Sequence, residues 1–202
     1  MAYWLAQLAD LPTVLLTAAL GGVMLLDGIP LIGMLIPADA AIMIAMVARD
    51  PVSSGPVFLG VVSGYVLTAS LGFFIGRRFG PQVRASRFGQ WIGESRWDTG
   101  ERMLSLRGGR MLVAAPFLPI VNTLVPLVAG GLRMPYRRFV PAVAAGSTLW
   151  TGLYVTLGLI AGLISHAVPG GTTTTLITVG VGLVLSWGMF RSTRRRLVAA
   201  SA

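Results

Sequence analysis

One apolar run, residues 13–49, constrains what this chain can fold into more than any other feature. Between its ends it contains two acids, Asp27 and Asp39, and two prolines, Pro30 and Pro37. A carboxylate at the centre of a bilayer costs about 2.5–3.5 kcal/mol on insertion scales, so an acid at that depth predicts a functional site. A proline inside a helix removes a backbone hydrogen bond and bends or ends the helix. The run therefore predicts helical legs around a broken middle.

Each leg of this run is too short to cross a membrane. A helix over residues 13–26 would be about 21 Å long, whereas the hydrocarbon core is about 30 Å thick. The second leg, residues 38–48, is shorter still. Two such legs are typical of a re-entrant hairpin, whose backbone groups must be satisfied by protein or by a water-filled cavity. We predict a re-entrant hairpin over residues 13–49, broken at Pro30 and Pro37.

Composition places the chain in a membrane. It is 54% hydrophobic and 11% charged over 202 residues, more apolar surface than a soluble core of this size can bury. The absence of Cys excludes disulfides and thiol catalysis, and we predict no metal site and no cofactor. The net charge of +9 comes from arginines that border apolar segments, which indicates orientation by the positive-inside rule rather than binding of nucleic acid.

A second hairpin is predicted further along the chain. Residues 57–76 are long enough to span a membrane, and the basic connector 77–110 that follows is predicted to be cytoplasmic. The next apolar run, residues 111–132, contains Pro116 and Pro119 and has basic residues at both ends. Because a single crossing cannot place both ends on one side, we predict a re-entrant hairpin there, broken at these two prolines.

The predicted fold class is an all-α membrane protein with two inverted re-entrant helical hairpins, each followed by a transmembrane helix, plus a C-terminal transmembrane helix. A single domain would cover residues 1–190, with halves at residues 1–76 and 111–165. The last helix, residues 171–190, would return to a basic cytoplasmic tail, residues 191–202. Many secondary transporters build their substrate site where broken helices of inverted repeats meet. The repeat therefore favours transport.

Three motifs between residues 25 and 163 resemble a known family. They are Asp27 followed by Ile-Pro-Ala-Asp at 36–39, Gly-Arg-Arg-Phe-Gly at 76–80, and the order of Phe, Pro, Gly and Trp residues over 109–162. The second resembles the GRxxG segment of the DedA family of membrane proteins, also described as VTT-domain or SNARE-associated proteins. The first resembles that family's acid followed by Pro-Gly-Glu or Pro-Gly-Asp, and the third is similar to its C-terminal hallmark.

The chain departs from the family pattern at charged positions. The family usually has Arg before its Phe-x-Pro triplet and again three residues after it, where this chain has Pro116 and Asn122. Where the family often has Gly-Asp before the Gly-Arg, this chain has Thr68 and Ala69. Both family acids of the first hairpin are present as aspartates, whereas the intramembrane Arg pair and the third acid are absent.

The resemblance implies a flippase or scramblase in a bacterial inner membrane. Bacterial members are associated with flipping undecaprenyl phosphate or other phospholipids, coupled to protons or sodium, and eukaryotic relatives behave as scramblases. The implied partners are anionic phospholipid or polyprenyl phosphate together with protons. The resemblance leaves a homo-oligomer open.

Asp27 and Asp39 are the predicted proton-coupling residues, because an apolar cavity disfavours a charged carboxylate and lets it bind and release a proton. They could share a proton across the break, or Asp39 could be a simple N-cap of the second leg. An Arg pair would bind phosphate bidentately. In its absence the predicted substrate-binding residues are Asn122, Thr123, Arg77 and Arg110, although Asn122 could equally satisfy the broken backbone of its hairpin.

We predict that the protein is not an enzyme. A lipid pyrophosphatase typically needs histidine nucleophile and base groups, and the single histidine, His166, lies outside the hairpins. An aspartyl protease needs two neighbouring acids, but its Tyr-Asp and Gly-x-Gly-Asp contexts are absent. The alternative to transport is a non-transporting membrane-organising or partner-binding protein of envelope homeostasis, which the missing Arg pair makes more credible.

Overall fold

The computed structural model describes residues 12–27, 38–47, 49, 51–167 and 180. All regular elements in these residues are helical, which confirms the predicted all-α class for this part of the chain. The elements are α1 Thr13–Asp27, α2 Ala38–Val47, α3 Pro51–Ala85, α4 Arg87–Ile92, α5 Glu94–Arg107, α6 Gly109–Ala114, a 3-10 turn Ala115–Phe117, α7 Pro119–Gly131 and α8 Tyr136–Ala167. The predicted breaks Pro30 and Pro37, most of the predicted last helix and the basic tail lie outside the described residues.

Among the residues that the structure describes, two helices are long and apolar enough to cross a membrane. They are α3, with 35 residues, and the 29-residue segment Tyr136–Ile164 of α8. Large apolar side chains lie on the outside of α3, where Leu59, Leu67 and Leu71 are 58–64% exposed. Such a surface suits lipid better than water, because soluble proteins rarely expose large contiguous apolar patches. The predicted membrane character is therefore supported, whereas the re-entrant character of the hairpins stays a prediction.

A hydrogen bond joins the start of α1 to the residue that follows α2. The Nη1 atom of Arg49 donates to the Oγ1 atom of Thr13 at 3.1 Å. The outer ends of these two short helices therefore lie together, as the legs of a hairpin do. The helix α2 is apolar almost throughout and seven of its ten residues are buried, which is expected for a helix surrounded by protein.

The helix α3 is bent just after the Gly-Arg-Arg sequence. Phe79 has non-helical backbone angles, with φ −128° and ψ 17°. Pro81 follows two residues later, and a proline cannot donate to the carbonyl four residues earlier, here that of Arg77. This proline therefore accounts for the bend at Phe79.

A second interruption separates α6 from α7. The 3-10 turn Ala115–Phe117 contains Pro116, Leu118 is extended at φ −127° and ψ 95°, and Pro119 opens α7. A residue before proline is driven out of the helical region, and proline is well tolerated in the first turn of a helix. The backbone is therefore broken between Ala114 and Pro119.

The described chain divides into two compact units. Unit 1 takes its residues from Met1–Leu20, Pro37–Phe58 and Gly152–Ala202, and unit 2 from Gly21–Ile36 and Leu59–Thr151. In unit 1, α8 packs closely on α2, because a Cβ atom on Gly158 would lie 2.6 Å from the Cβ atom of Met46. The single-domain division made from the sequence stays a prediction.

The connector after α3 is helical and contains one cluster of ion pairs. Arg84 bonds to Asp98 at 2.6 Å, to Glu94 at 3.2 Å and to Glu101 at 3.3 Å. The short helix α4 is capped by Ser86, whose hydroxyl oxygen accepts from the backbone N–H of Gly89. Arg84 therefore forms ion pairs with all three acids of the connector.

Candidate functional site

The second half of α1 packs on α3 through two glycines. A Cβ atom on Gly64 would lie 2.8 Å from the carbonyl oxygen of Gly21, so the two backbones touch. Next to this contact, the hydroxyl group of Thr68 donates to the carbonyl oxygen of Met24 at 3.1 Å. The last four carbonyl groups of a helix have no partner within it, so this bond satisfies one at the end of α1. The packing brings Asp27, the last residue of α1, beside α3.

The helix α7 packs on the same helix in the same way. A Cβ atom on Gly76 would overlap the backbone of Leu127, and one on Gly130 would overlap the backbone of Phe73. Small residues at such crossings let helices approach closely in lipid. The Gly-Arg-Arg-Phe-Gly motif therefore begins with a packing residue, and these contacts hold the second half of α7 against the second half of α3.

A small polar cavity lies where the three helices meet in unit 2. Its volume is about 20 Å³, room for about one water molecule. Five of its lining residues have polar side chains that can hydrogen-bond. The lining residues are Met24, Asp27, Tyr65, Thr68, Ala69, Gly72, Asn122, Thr123 and Pro126. We call this the Asp27 cavity.

A buried tyrosine organises the Asp27 cavity. Tyr65 is only 7% exposed, and its hydroxyl group donates a hydrogen bond to the Oδ1 atom of Asn122. Pro126 lies four residues after Asn122 and has no N–H, so the carbonyl group of Asn122 lacks its usual donor within α7. The polar groups here are a carboxylate, three hydroxyls, an amide and a backbone carbonyl, all suited to water, a proton or a polar headgroup.

The second predicted acid lies in unit 1. Asp39 is the second residue of α2 as its bounds are drawn, half-buried in the first turn, where the helix dipole favours a negative charge. It accepts a hydrogen bond from Tyr154, which is 5% exposed. Each of the two acids therefore lies near a buried tyrosine within its own unit, Asp27 near Tyr65 and Asp39 with Tyr154.

The predicted substrate-binding residues fall into three places within unit 2. Asn122 and Thr123 line the Asp27 cavity. Arg77 lines a separate cavity with Phe74, Arg78 and Arg133. Arg110 lines a further cavity, which shares no residue with the other two. Among the described residues, no group of three or more His, Asp or Glu side chains could hold a metal ion.

Sequence reasoning did not single out Tyr65 or Tyr154. A signal was available for the first, because residues 65, 68, 69 and 72 follow the i, i+3, i+4, i+7 spacing of one helix face. That face carries a tyrosine and a threonine within an apolar helix. Tyr154 has no comparable local signal, because its partner Asp39 is 115 residues away in the sequence.

The described residues form only helices, and two of these helices combine membrane length with large apolar side chains on the outside, as in a membrane protein. The family of this chain is shown by comparison with known proteins: a model of the VTT domain matches residues 11–160. The chain belongs to the VTT-domain family, also called the DedA family, as the sequence motifs predicted.

Several relatives of this chain are named as membrane proteins. An uncharacterized membrane protein of Mycobacterium tuberculosis is 30% identical over 168 residues, which cover 80% of this chain and 76% of that protein. Protein DedA of Escherichia coli K12 is 32% identical over 95 residues, 47% of this chain and 43% of its own. Undecaprenyl phosphate transporter A of Bacillus subtilis is 27% identical over 107 residues, 52% of this chain and 53% of its own. No solved structure matches the chain.

Proposed function

We propose that this protein moves a phosphate-bearing lipid, a phospholipid or a polyprenyl phosphate such as undecaprenyl phosphate, across a bacterial inner membrane. It would be a multi-pass protein with a cytoplasmic C-terminus and would carry out no chemical reaction. The support is membership of a family in which one relative is named an undecaprenyl phosphate transporter.

The observation that carries the proposal is the Asp27 cavity. Polar side chains from α1, α3 and α7 meet among apolar helices, and buried polar groups in a membrane protein mark substrate or ion pathways. A cavity of about 20 Å³ cannot contain a lipid headgroup. The structure would then correspond to a closed state, and transport would require the helices around the cavity to separate.

Proton coupling is assigned to Asp27 and Asp39. Asp27 is the last residue of α1, and the C-terminal end of a helix is the less favourable end for a negative charge. We propose that this carboxyl group binds a proton and releases it during transport. Asp39, in the first turn of α2, would be a second proton-binding residue, with a hydrogen bond from Tyr154 to its carboxylate. Asn122 and Thr123 would contact the headgroup inside the cavity, and Arg77 and Arg110 would attract it from outside.

The test is transport by the purified chain in liposomes. Fluorescent phospholipid and polyprenyl phosphate are followed across the bilayer with and without a proton gradient, for the unmodified chain, Asp27→Asn and Asp39→Asn. Asp98→Asn is the matched control, because it neutralises an exposed acid of the connector. We expect gradient-driven movement that is lost in the first two variants and kept in the third.

Other results would decide between the remaining classes. Movement that is independent of the gradient and unchanged in both hairpin variants would make the protein a scramblase and remove the coupling role of the two acids. Absence of movement from a correctly folded chain would favour the membrane-organising alternative. The observation that favours this alternative is that the chain has Pro116 and Asn122 where the resemblance implies an Arg pair.

A further inference from the structure

A second cavity of unit 2 has a different character from the Asp27 cavity. It is lined by Arg77, Arg78, Arg133 and Phe74, and its volume is about 500 Å³. Sites for small ligands usually measure about 300–1,000 Å³. This arginine cavity, unlike the Asp27 cavity, therefore has room for a phosphate headgroup in the present structure.

Among the described residues, no acid lines the arginine cavity. The acids of the neighbouring connector all bond to Arg84. In the part of the chain that the structure describes, no ion pair joins Arg77, Arg78 or Arg133 to a carboxylate. An anion bound among these arginines would be attracted by all three positive charges.

Arg133 reaches this cavity from a backbone position that favours glycine. Its φ is 53°, the one positive value at a non-glycine residue among those described. The backbone N–H of Arg133 donates to the carbonyl oxygen of Gly130 at 2.9 Å. The backbone N–H of Met134 donates to the carbonyl oxygen of Ala129 at 3.0 Å. These two bonds form a Schellman motif at the end of α7, whose left-handed residue is usually glycine. Residues that adopt a backbone conformation unfavourable for their type are often found at functional sites.

The remaining lining residue is apolar. Phe74 is 51% exposed, and its ring lies 5.1 Å from that of Tyr136, centroid to centroid. An exposed aromatic ring that lines the same cavity as three arginines offers an apolar and a cationic surface to one ligand. A lipid with a phosphate headgroup offers both matching parts, whereas inorganic phosphate offers only the charge.

We propose that Arg77, Arg78 and Arg133 bind the phosphate headgroup of a membrane lipid, with Phe74 against the first part of its apolar chain. Guanidinium groups suit this role because they donate two parallel hydrogen bonds to phosphate oxygens. The site is separate from the Asp27 cavity, since the two share no lining residue. Its role as the place where the transported lipid first binds rests on the proposed function, but the binding itself does not.

The test is a binding titration of the full chain in detergent with two probes, short-chain phosphatidic acid and inorganic phosphate. We expect phosphatidic acid to bind more tightly, and Arg77→Gln and Arg133→Gln each to weaken it about tenfold, as loss of one charge-assisted hydrogen bond does. Arg138→Gln is the matched control. It removes the same charge from an exposed residue outside the cavity, and its Kd should stay close to that of the unmodified chain.

The variant Arg133→Gly distinguishes a role of Arg133 in lipid binding from a role in stability. Glycine is the preferred residue at this φ, so the variant should melt at a higher temperature than the unmodified chain and yet bind phosphatidic acid about tenfold more weakly. A purely structural Arg133 would instead leave the Kd unchanged in this variant.

Three results would overturn the proposal. Equal weakening by Arg138→Gln would mean that only the general positive charge attracts the lipid. Equal affinity for inorganic phosphate would mean that the ligand is a free anion. Unchanged binding in Arg133→Gly would remove Arg133 from the site. Because the titration needs no vesicle, loss of binding leaves the transport proposal standing, and loss of transport leaves this one standing.

Discussion

The hydroxyl group of Tyr65 donates a hydrogen bond to the Oδ1 atom of Asn122, 57 residues further along the chain. The bond joins the middle of α3 to the first turns of α7 beside Asp27. The resemblance to the family implies an arginine at the position of Asn122. In this chain the position is therefore filled by an amide that a buried tyrosine holds in place, and the cavity contains one carboxylate and no lining cation.

Tyr65→Phe should reduce lipid transport about tenfold. It removes the donor to Asn122 and leaves a polar atom unpaired beside Asp27, which costs about 1–3 kcal/mol. Transport in liposomes and thermal unfolding measure the two effects. The matched control is Tyr136→Phe, which removes a hydroxyl group that donates to Ser70 at 3.0 Å away from the Asp27 cavity. Equal transport by the two variants would contradict a role for Tyr65.

Tyr154→Phe should change how transport responds to the proton gradient. The variant removes the hydrogen bond to Asp39 and keeps the ring in its buried position. If Asp39 takes part in coupling, the rate should depend less on the gradient while the chain remains folded. The measurement is the rate of lipid movement at several imposed gradients. A gradient response equal to that of the unmodified chain would exclude Tyr154 from coupling.

Gly76→Ala and Gly130→Ala should each destabilise the protein by about 1–3 kcal/mol or prevent its folding. Each adds a methyl group where the backbone of the partner helix already lies, and an overpacked core cannot absorb it without strain. Gly55→Ala is the control, because nothing lies within 4 Å of its Cβ position. Thermal unfolding of the detergent-solubilised chain measures the difference. A loss of stability in the control alone would contradict the close packing of α3 and α7.

Arg84→Gln should lower the melting temperature by a small amount that disappears in high salt. Its ion pairs with Glu94, Asp98 and Glu101 lie at the surface, where water and salt weaken each pair. At about 1 M salt the screening length is only about 3 Å. Arg87→Gln, at an exposed arginine with no ion pair in the described part of the chain, is the control. A difference that persists in high salt would mean that Arg84 acts through packing.

The absence of cysteine makes the predicted topology directly measurable. Single cysteines introduced by Ser105→Cys in the connector and Ser201→Cys in the tail should react with membrane-impermeant reagents only after the cytoplasmic side is opened. Thr172→Cys, between the predicted last two helices, should react in intact cells. Labelling of the connector from outside would contradict its cytoplasmic placement and, with it, the predicted direction of the first spanning helix.

Much of the local structure follows from local chemistry that the sequence displays. The helices α1 and α2 occupy the two apolar legs that the sequence predicts, and α7 begins at Pro119, because a proline keeps the residue before it out of the helical region. The family was also visible in the motifs around Asp27 and the Gly-Arg-Arg-Phe-Gly segment. The two helices that are long enough to span a membrane could be predicted from the length of their apolar segments alone.

The candidate site could be predicted only in part, because its residues come from segments that are distant in the sequence. The sequence by itself determined where helices break, which acids lie in apolar segments and which family the chain belongs to, because these depend on neighbouring residues. Only the tertiary structure decided that Asn122 meets Tyr65, that Asp39 meets Tyr154, and that Arg77 lines a different cavity from Asn122. Such groupings depend on glycine contacts such as that of Gly76 with Leu127, which set how closely helices pack. Packing between segments that are distant in sequence leaves no mark in the local pattern of either one.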